Sequence, residues 1–217
     1  MNVVKVKICG LTNLADACAA AASGADFLGF VFAPGPRRVD PLAAQGFWAG
    51  LPRGVPTVAV FRDQTLEEVE GVLRLVRPDY LQFHGGESPG FCRVFEKPVI
   101  RALSVRVPAD LKMAEAFLDV AEIFLVDVPK GDGGTLPAGV AHLAAHLPKP
   151  VLLAGGLNPA NVGAIAGEYQ PFGVDVARGV ESAPGIKDTT LMRMFISQAK
   201  GQAAARDDRR APFQENS

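Results

Sequence analysis

Two residues in this sequence have the chemistry to move protons. Cys9 closes the alternating segment KVKIC, and Asp127 closes EIFLVD. A thiolate at Cys9 can remove a proton if its ordinary pKa of about 8.5 is lowered, or if positive charge develops beside it. A carboxylic acid at Asp127 can donate one if burial raises its pKa. Taken singly, Cys9 also reads as a small buried hydrophobe and Asp127 as the cap of the next loop. A base and an acid on opposite walls of one pocket are what a proton-transferring isomerase needs. The loop APGPRRVDP offers Arg37 and Arg38. A guanidinium there suits a substrate carboxylate, which it holds by two parallel bonds, and the sequence alone does not choose between the two. Gly155 and Gly156 in LLAGGLNPANV, and Gly179 in VDVARGVESAPGIKD, let backbone N–H groups approach an anion such as a phosphate. DGGT adds donors at Gly133 and Gly134.

These groups must be positioned by secondary structure. Short apolar runs alternate with helical patterns along the whole chain. The runs at 3–8, 26–32, 56–61, 79–84, 98–103, 122–127, 150–155 and 172–177 read as strands. Helical patterns follow each of them, at 13–24, 40–51, 65–76, 88–96, 108–119, 138–147, 158–169 and 189–201. Strands alternating with helices of about 10–15 residues imply βαβ units and parallel strands. Eight such units point to a single-domain α/β fold, a (β/α)8 TIM barrel over 1–200, with an open doubly wound sheet as the rival. The polar segment 201–217 reads as a mobile tail. Thr12 or Asn13 should cap the first helix, Thr65 with Glu68 the third, and Asn158 followed by Pro159 the seventh.

Alternation then sorts the side chains. Val4, Val6 and Ile8 form an apolar row for the helices, which turns Lys7 and Cys9 into the barrel. The same parity turns Gln82, His84, Asp127 and Asp175 inward, while Arg101 has no clear side. A ring of buried polar groups is expensive unless each finds a partner, and Asp175 can pair with Lys7 because the first and last strands of a barrel are neighbours. Most of the ring lies at the carboxyl ends of strands, where barrel enzymes carry their chemistry. His142 and His146 are spaced to share a metal, but their helix belongs on the outer surface, so no metal is expected. Cys18 and Cys92 read as helix–sheet packing residues.

Composition narrows the class. The chain has 217 residues, of which 48% are hydrophobic and 21% charged, with a net charge of −1. Nothing electrostatic favours nucleic acid, and no apolar run approaches the roughly 20 residues that span a bilayer. The N-terminus lacks the apolar core of a signal peptide, and three cysteines without paired spacing fit a reduced, cytoplasmic protein. Either a monomer or a homodimer is compatible with these features.

VKICGLTN, GADFLGFVF, GPRRV, VAVF, LQFHGGES, LAGGLNPANV and GVDVARGVESAPGIKD, in this order and spacing, resemble the phosphoribosylanthranilate isomerases of tryptophan biosynthesis. The resemblance runs from about residue 3 to 188. It implies a cofactor-free, metal-free (β/α)8 barrel. Such an enzyme converts N-(5′-phosphoribosyl)anthranilate to the 1-deoxyribulose 5-phosphate derivative by an Amadori rearrangement. It also implies Cys9 as base, Asp127 as acid and Arg37 near the anthranilate carboxylate. Phosphate would lie at Gly155, Gly156 and the segment Ala177, Arg178, Gly179. Read from the residues themselves, Gln82 and His84 of the inner ring and Gly133 and Gly134 of DGGT are expected to line the substrate as well. Three departures from the family pattern stand out. No FDW element follows GGT, DVARGVE replaces DVSSGVE, and Gly35 stands where the family has serine. They leave a divergent barrel that acts on, or only binds, another phosphorylated sugar as the alternative.

Overall fold

The structure, a computed structural model, describes residues 3–128 and 136–207. Eight strands carry the barrel: β1 (Lys5–Ile8), β2 (Phe27–Val31), β3 (Thr57–Phe61), β4 (Tyr80–Phe83), β5 (Val99–Ser104), β6 (Ala121–Asp127), β7 (Val151–Leu153) and β8 (Gly173–Val176). Between them lie α1 (Leu14–Ala22), α2 (Pro41–Trp48), α3 (Leu66–Leu75), α4 (Pro89–Arg93), α5 (Ala138–Ala144) and α6 (Val162–Tyr169), and α7 (Thr189–Asp207) follows β8. Every neighbouring pair of barrel strands is parallel. β8 pairs with β1 over four register partners, so the sheet is closed. Closure removes the open doubly wound sheet from consideration. No described helix is long and apolar enough to cross a membrane.

Local chemistry explains most boundaries. Asn13 caps α1 by accepting from the Asp16 N–H at 2.8 Å. Thr65 and Glu68 form the reciprocal capping box of α3. Two expectations fail. The segment Pro108–Phe117 is a run of 3-10 turns rather than an α-helix. The seventh helix begins at Val162 rather than at Pro159, because the side chains of Asn158 and Asn161 bond to backbone around the intervening turn. The Asn158 N–H donates to Asn161 Oδ1 at 2.9 Å, and Asn158 Oδ1 accepts from the Ala160 N–H at 2.8 Å. Such side-chain-to-backbone bonds compete with helix formation and leave a turn here. After β8 comes a hairpin with no counterpart in the sequence reading, β9 (Glu181–Ala183) with β10 (Ile186–Lys187).

Packing follows the predicted alternation. Val4, Val6, Ile8, Leu81, Phe83, Phe124, Val126, Val174 and Val176 join the outer core between sheet and helices. Cys9, Phe27, Val58, Val60, Ile100, Ala102, Ile123, Leu125, Leu152 and Ala154 fill the barrel interior. Arg101 belongs with the outer layer, since Val99 and Leu103 flank it on that side. Its Nη1 donates to Glu87 Oε2 at 2.9 Å and its Nη2 to the Gly85 carbonyl at 2.8 Å. Of the two packing cysteines, Cys92 is buried, but Cys18 is exposed on α1.

At the amino end of the barrel, Asp26 gathers three donors. Lys5 Nζ lies at 3.0 Å, Lys200 Nζ of α7 at 2.7 Å, and the Val6 N–H at 2.9 Å. Burial alone would raise this carboxyl, but Lys200, the Val6 N–H and Lys5 hold it below the usual range. A lowered folded-state pKa contributes stability above the unfolded value of about 3.9 and loses it as pH falls through the folded one. Asp26→Asn is therefore expected to lower unfolding free energy by about 1–2 kcal/mol at pH 7. Urea unfolding should show that difference shrinking below about pH 4.

Candidate active site

The carboxyl ends of the strands hold two groups of polar side chains on the inner wall. The first is built on β1, β2 and β8. Lys7 and Asp175 are direct register partners across the β1–β8 pair, and both side chains turn inward. Lys7 Nζ reaches Asp175 Oδ1 at 2.8 Å, with 0% of the lysine side chain and 11% of the aspartate exposed. Cys9 follows β1 on the same face, buried, its N–H donating to the Val176 carbonyl at 2.8 Å. Gly29 of β2 is the floor on which both rest. A Cβ at that position would lie 3.0 Å from Cys9 Sγ and 3.1 Å from Lys7 Nζ. Any side chain there would displace the thiol or the ammonium, and an isolated glycine within a strand often marks such a close approach.

The electrostatics of this group are opposed. Burial pushes the Cys9 thiol up, Lys7 pulls it back, and Asp175 adds to the upward push, leaving it above its ordinary value. Burial would lower Lys7, but Asp175 and Cys9 hold it above the usual lysine range, so it stays charged. Lys7 is thus the main cation that limits how far the thiol rises, with Lys187 adding to it. Lys7→Met is expected to move the thiol-dependent limb of the kcat/KM–pH profile upward by about one unit or more. It should also destabilise the fold by about 3 kcal/mol, because Asp175 is left unpaired in a nearly buried site. The pH profile and a denaturant titration read the two effects separately.

The second group is built on β4 and β6. Asp127 ends β6 on the inward parity of Ile123 and Leu125, half-buried, with Oδ1 accepting from the Val128 N–H at 2.8 Å. His84 Nε2 stands 3.6 Å from Asp127 Oδ2. The other ring nitrogen, Nδ1, is 3.1 Å from Gln82 Nε2 on the same strand. With the amide nitrogen donating, Nδ1 is the acceptor, and a neutral imidazole then carries its proton on Nε2, toward Asp127. Gln82 is fully buried, and its Oε1 has no hydrogen-bond partner among the described residues. Gly155, after β7, closes against this carboxylate, since a Cβ there would lie 3.0 Å from Asp127 Oδ1.

The remaining sequence candidates fall at the same end of the barrel. Arg37 rather than Arg38 is tied into the site. Its Nε and Nη2 donate to Glu181 Oε1 and Oε2, both at 2.7 Å, while Arg38 is exposed. The loops after β7 and β8 touch, because Gly179 packs directly on the Leu157 carbonyl. Gly156 is exposed beside them, Ala177 packs against the inner core, and Arg178 is exposed. Gly133 and Gly134 lie outside the described residues. His142 and His146 sit on the outer layer, exposed, with His146 Nδ1 2.7 Å from the His142 carbonyl. An apolar groove of about 390 Å³, lined in part by Leu111, Leu118, Leu143 and Leu147, also belongs to that outer layer rather than to the inner wall.

Sequence reasoning missed three residues of this neighbourhood: Gly29, Glu181 and Lys187. Gly29 was detectable as a glycine inside the apolar run DFLGFVF. Lys187 is nearly buried and donates to Glu181 Oε1 at 2.9 Å and to the Ala177 carbonyl at 3.0 Å. No local pattern announces it or Glu181, because Glu181 meets Arg37 across 144 positions of sequence.

Comparison with known proteins gives a consistent result. A family model described as N-(5′-phosphoribosyl)anthranilate (PRA) isomerase matches residues 6–198. An N-(5′-phosphoribosyl)anthranilate isomerase of Alcanivorax borkumensis is 42% identical over 218 residues, spanning 94% of this chain and 99% of the relative. The crystal structure of phosphoribosyl anthranilate isomerase from Thermotoga maritima superposes with a TM-score of 0.84 at 36% identity, covering 91% of this chain and 99% of that one. A phosphoribosyl anthranilate isomerase in complex with reduced 1-(o-carboxyphenylamino)-1-deoxyribulose 5-phosphate superposes with a TM-score of 0.79, again at 36% identity and with coverage of 91% and 99%.

Proposed function

The chain belongs to the N-(5′-phosphoribosyl)anthranilate isomerase family of tryptophan biosynthesis, and from that premise we propose that Cys9 and Asp127 perform its isomerisation as base and acid. One observation supports this reading above the others. Both side chains lie on the inward parity of their strands, at the carboxyl ends of β1 and β6, beside partners that bear on their protons: Lys7 for the thiol and His84 for the carboxyl.

The chemistry runs in three steps. Asp127 protonates the furanose ring oxygen, the C1–O bond breaks, and the anilino nitrogen lone pair forms a cationic Schiff base with C1. That cation acidifies the proton on C2. Cys9 removes it, and the C–H electrons become the C1–C2 double bond of an enolamine while the nitrogen regains its lone pair. The enolamine loses its hydroxyl proton and gains one at C1, which gives the ketone. Each positioned proton transfer is worth about 10²–10⁴-fold. The raised thiol is compatible with this role because the Schiff base brings positive charge to the site at the step where the thiolate acts.

Arg37 receives the anthranilate carboxylate, and the phosphate docks on the loops of Gly155–Gly156 and Ala177–Gly179. Gln82 and His84 line the sugar between them. Supporting this division, the two glycine loops are in contact, and Arg37 sits at the mouth with part of its side chain open to solvent. Cys9, Cys18 and Cys92 are thiols, and a base that works as a thiolate needs a reducing compartment, so we assign the enzyme to the cytoplasm.

The test is a direct assay on the purified full chain with N-(5′-phosphoribosyl)anthranilate. The substrate's fluorescence is expected to decay at a rate proportional to enzyme. A fluorescence trace that stays at the enzyme-free rate would overturn the reading.

A further inference from the structure

Arg37 is held more firmly than a flexible surface arginine needs to be. Its stem crosses the backbone of Gly10, where a Cβ would meet Arg37 Cδ at 2.5 Å, so the loop after β1 moulds the path of the side chain. Its guanidinium meets Glu181 side-on through Nε and Nη2, two bonds of 2.7 Å each. Glu181 is 3% exposed, and its Oε1 also accepts at 2.9 Å from Nζ of Lys187, whose side chain is 0% exposed. Lys187 is fixed in turn by the Ala177 carbonyl at 3.0 Å, and its N–H donates to Asp16 Oδ2 at 3.0 Å. Thr12 Oγ1 donates to the Gly185 carbonyl at 2.7 Å and ties the β9–β10 hairpin to the loop after β1.

We propose that Glu181 is a positioning residue that orients Arg37 so that the unused edge of its guanidinium meets the carboxylate of the substrate. The proposal rests on the reading of Arg37 as the carboxylate site. A guanidinium has five N–H donors in a planar fork. Glu181 takes the Nε/Nη2 edge, which leaves one hydrogen of Nη1 and the second hydrogen of Nη2 side by side along the Nη1/Nη2 edge, with the other Nη1 hydrogen turned toward the Cδ side. That edge binds a second carboxylate by two parallel bonds in the same plane. The charges are consistent with this use. Burial pulls Lys187 below the usual lysine range while Glu181 supports its charge, and Glu181 holds Arg37 above its usual value. With both protonated, two cations share one buried carboxylate and the cluster keeps one positive charge for an incoming anion. Burial alone would raise Glu181, but Arg37 and Lys187 hold it below the usual range, so it stays ionised. Without that negative charge Arg37 loses its orientation, and it faces a buried lysine of like sign.

Two stable ligands separate positioning from a purely structural role: the reduced product, and its counterpart with a phenyl ring in place of the carboxyphenyl. Arg37→Ala, Glu181→Gln and Glu181→Asp are compared with the wild type by inhibition constants, steady-state kinetics and thermal melting. Glu181→Gln is expected to raise KM at least tenfold, to change kcat less than threefold, and to reduce the preference for the carboxylate-bearing ligand at least tenfold. A tenfold loss corresponds to about 1.4 kcal/mol. Glu181→Asp keeps the charge and should retain part of the preference; it decides the matter if the glutamine variant does not fold. A loss of affinity equal for both ligands, or a preference unchanged in the Glu181 variants but lost in Arg37→Ala, would overturn the role of Glu181 alone. A preference unchanged in Arg37→Ala would overturn the reading of Arg37 beneath it.

Discussion

Replacing Cys9 with alanine is expected to lower kcat by at least about a hundredfold, with the fold intact. The side chain is small and sits at the edge of the inner core, and its backbone N–H keeps its bond to the Val176 carbonyl whatever the side chain. The loss therefore belongs to chemistry rather than to packing, and an unchanged thermal melt should accompany it. Cys9→Ser should fail almost as badly, because a hydroxyl is a far weaker acid than a thiol and supplies almost no anion near neutral pH. In the wild type, the base must be deprotonated to act, so kcat/KM should climb with pH along the limb set by the thiol. That limb should turn over above the ordinary thiol value, since burial outweighs Lys7. Steady-state kinetics across pH checks both statements.

Asp127→Asn is expected to cost at least about a hundredfold as well, for the complementary reason. The amide is nearly isosteric, and its oxygen can still accept from the Val128 N–H that now bonds Asp127 Oδ1. What it cannot do is give a proton to the ring oxygen, so ring opening should become rate-limiting. A substrate supplied in the ring-opened form, with the Schiff base already made, would bypass that step and recover part of the lost rate. Equal rates for the open and closed substrates in this variant would count against Asp127 as the acid.

The inner wall was legible because strand alternation is a two-residue rule that needs no distant information. Val4, Val6 and Ile8 identify the outward face of β1 unaided, which settles Lys7 and Cys9 on the other. Closure of the barrel then makes Lys7 and Asp175 neighbours, and they are register partners. The same rule gave no parity for Arg101, because PVIRAL has apolar residues on both sides of the strand. The arginine goes outward, where Glu87 awaits it. Cys18 looked like a packing residue because α1 is rich in alanine on every face, so its buried side is weakly marked. Asn158 and Pro159 matched a helix start, but a second asparagine three residues on offered a competing bond. The Arg37–Glu181–Lys187 cluster was beyond local reading. It depends on a short hairpin folding back over the barrel mouth, and its pairings span long stretches of chain.

The central claim is that one sugar lies between the Cys9 thiol and the Asp127 carboxyl, and a crystal structure of the full chain with the reduced product tests it most directly. The account predicts Cys9 Sγ within about 3.5 Å of C2, a near-attack separation. It also predicts an Asp127 oxygen within hydrogen-bond reach of the oxygen on C4 and the phosphate between Gly155–Gly156 and Ala177–Gly179. A bound product whose C2 touches neither group, or which reaches Asp127 with Cys9 sealed behind apolar side chains, would contradict it.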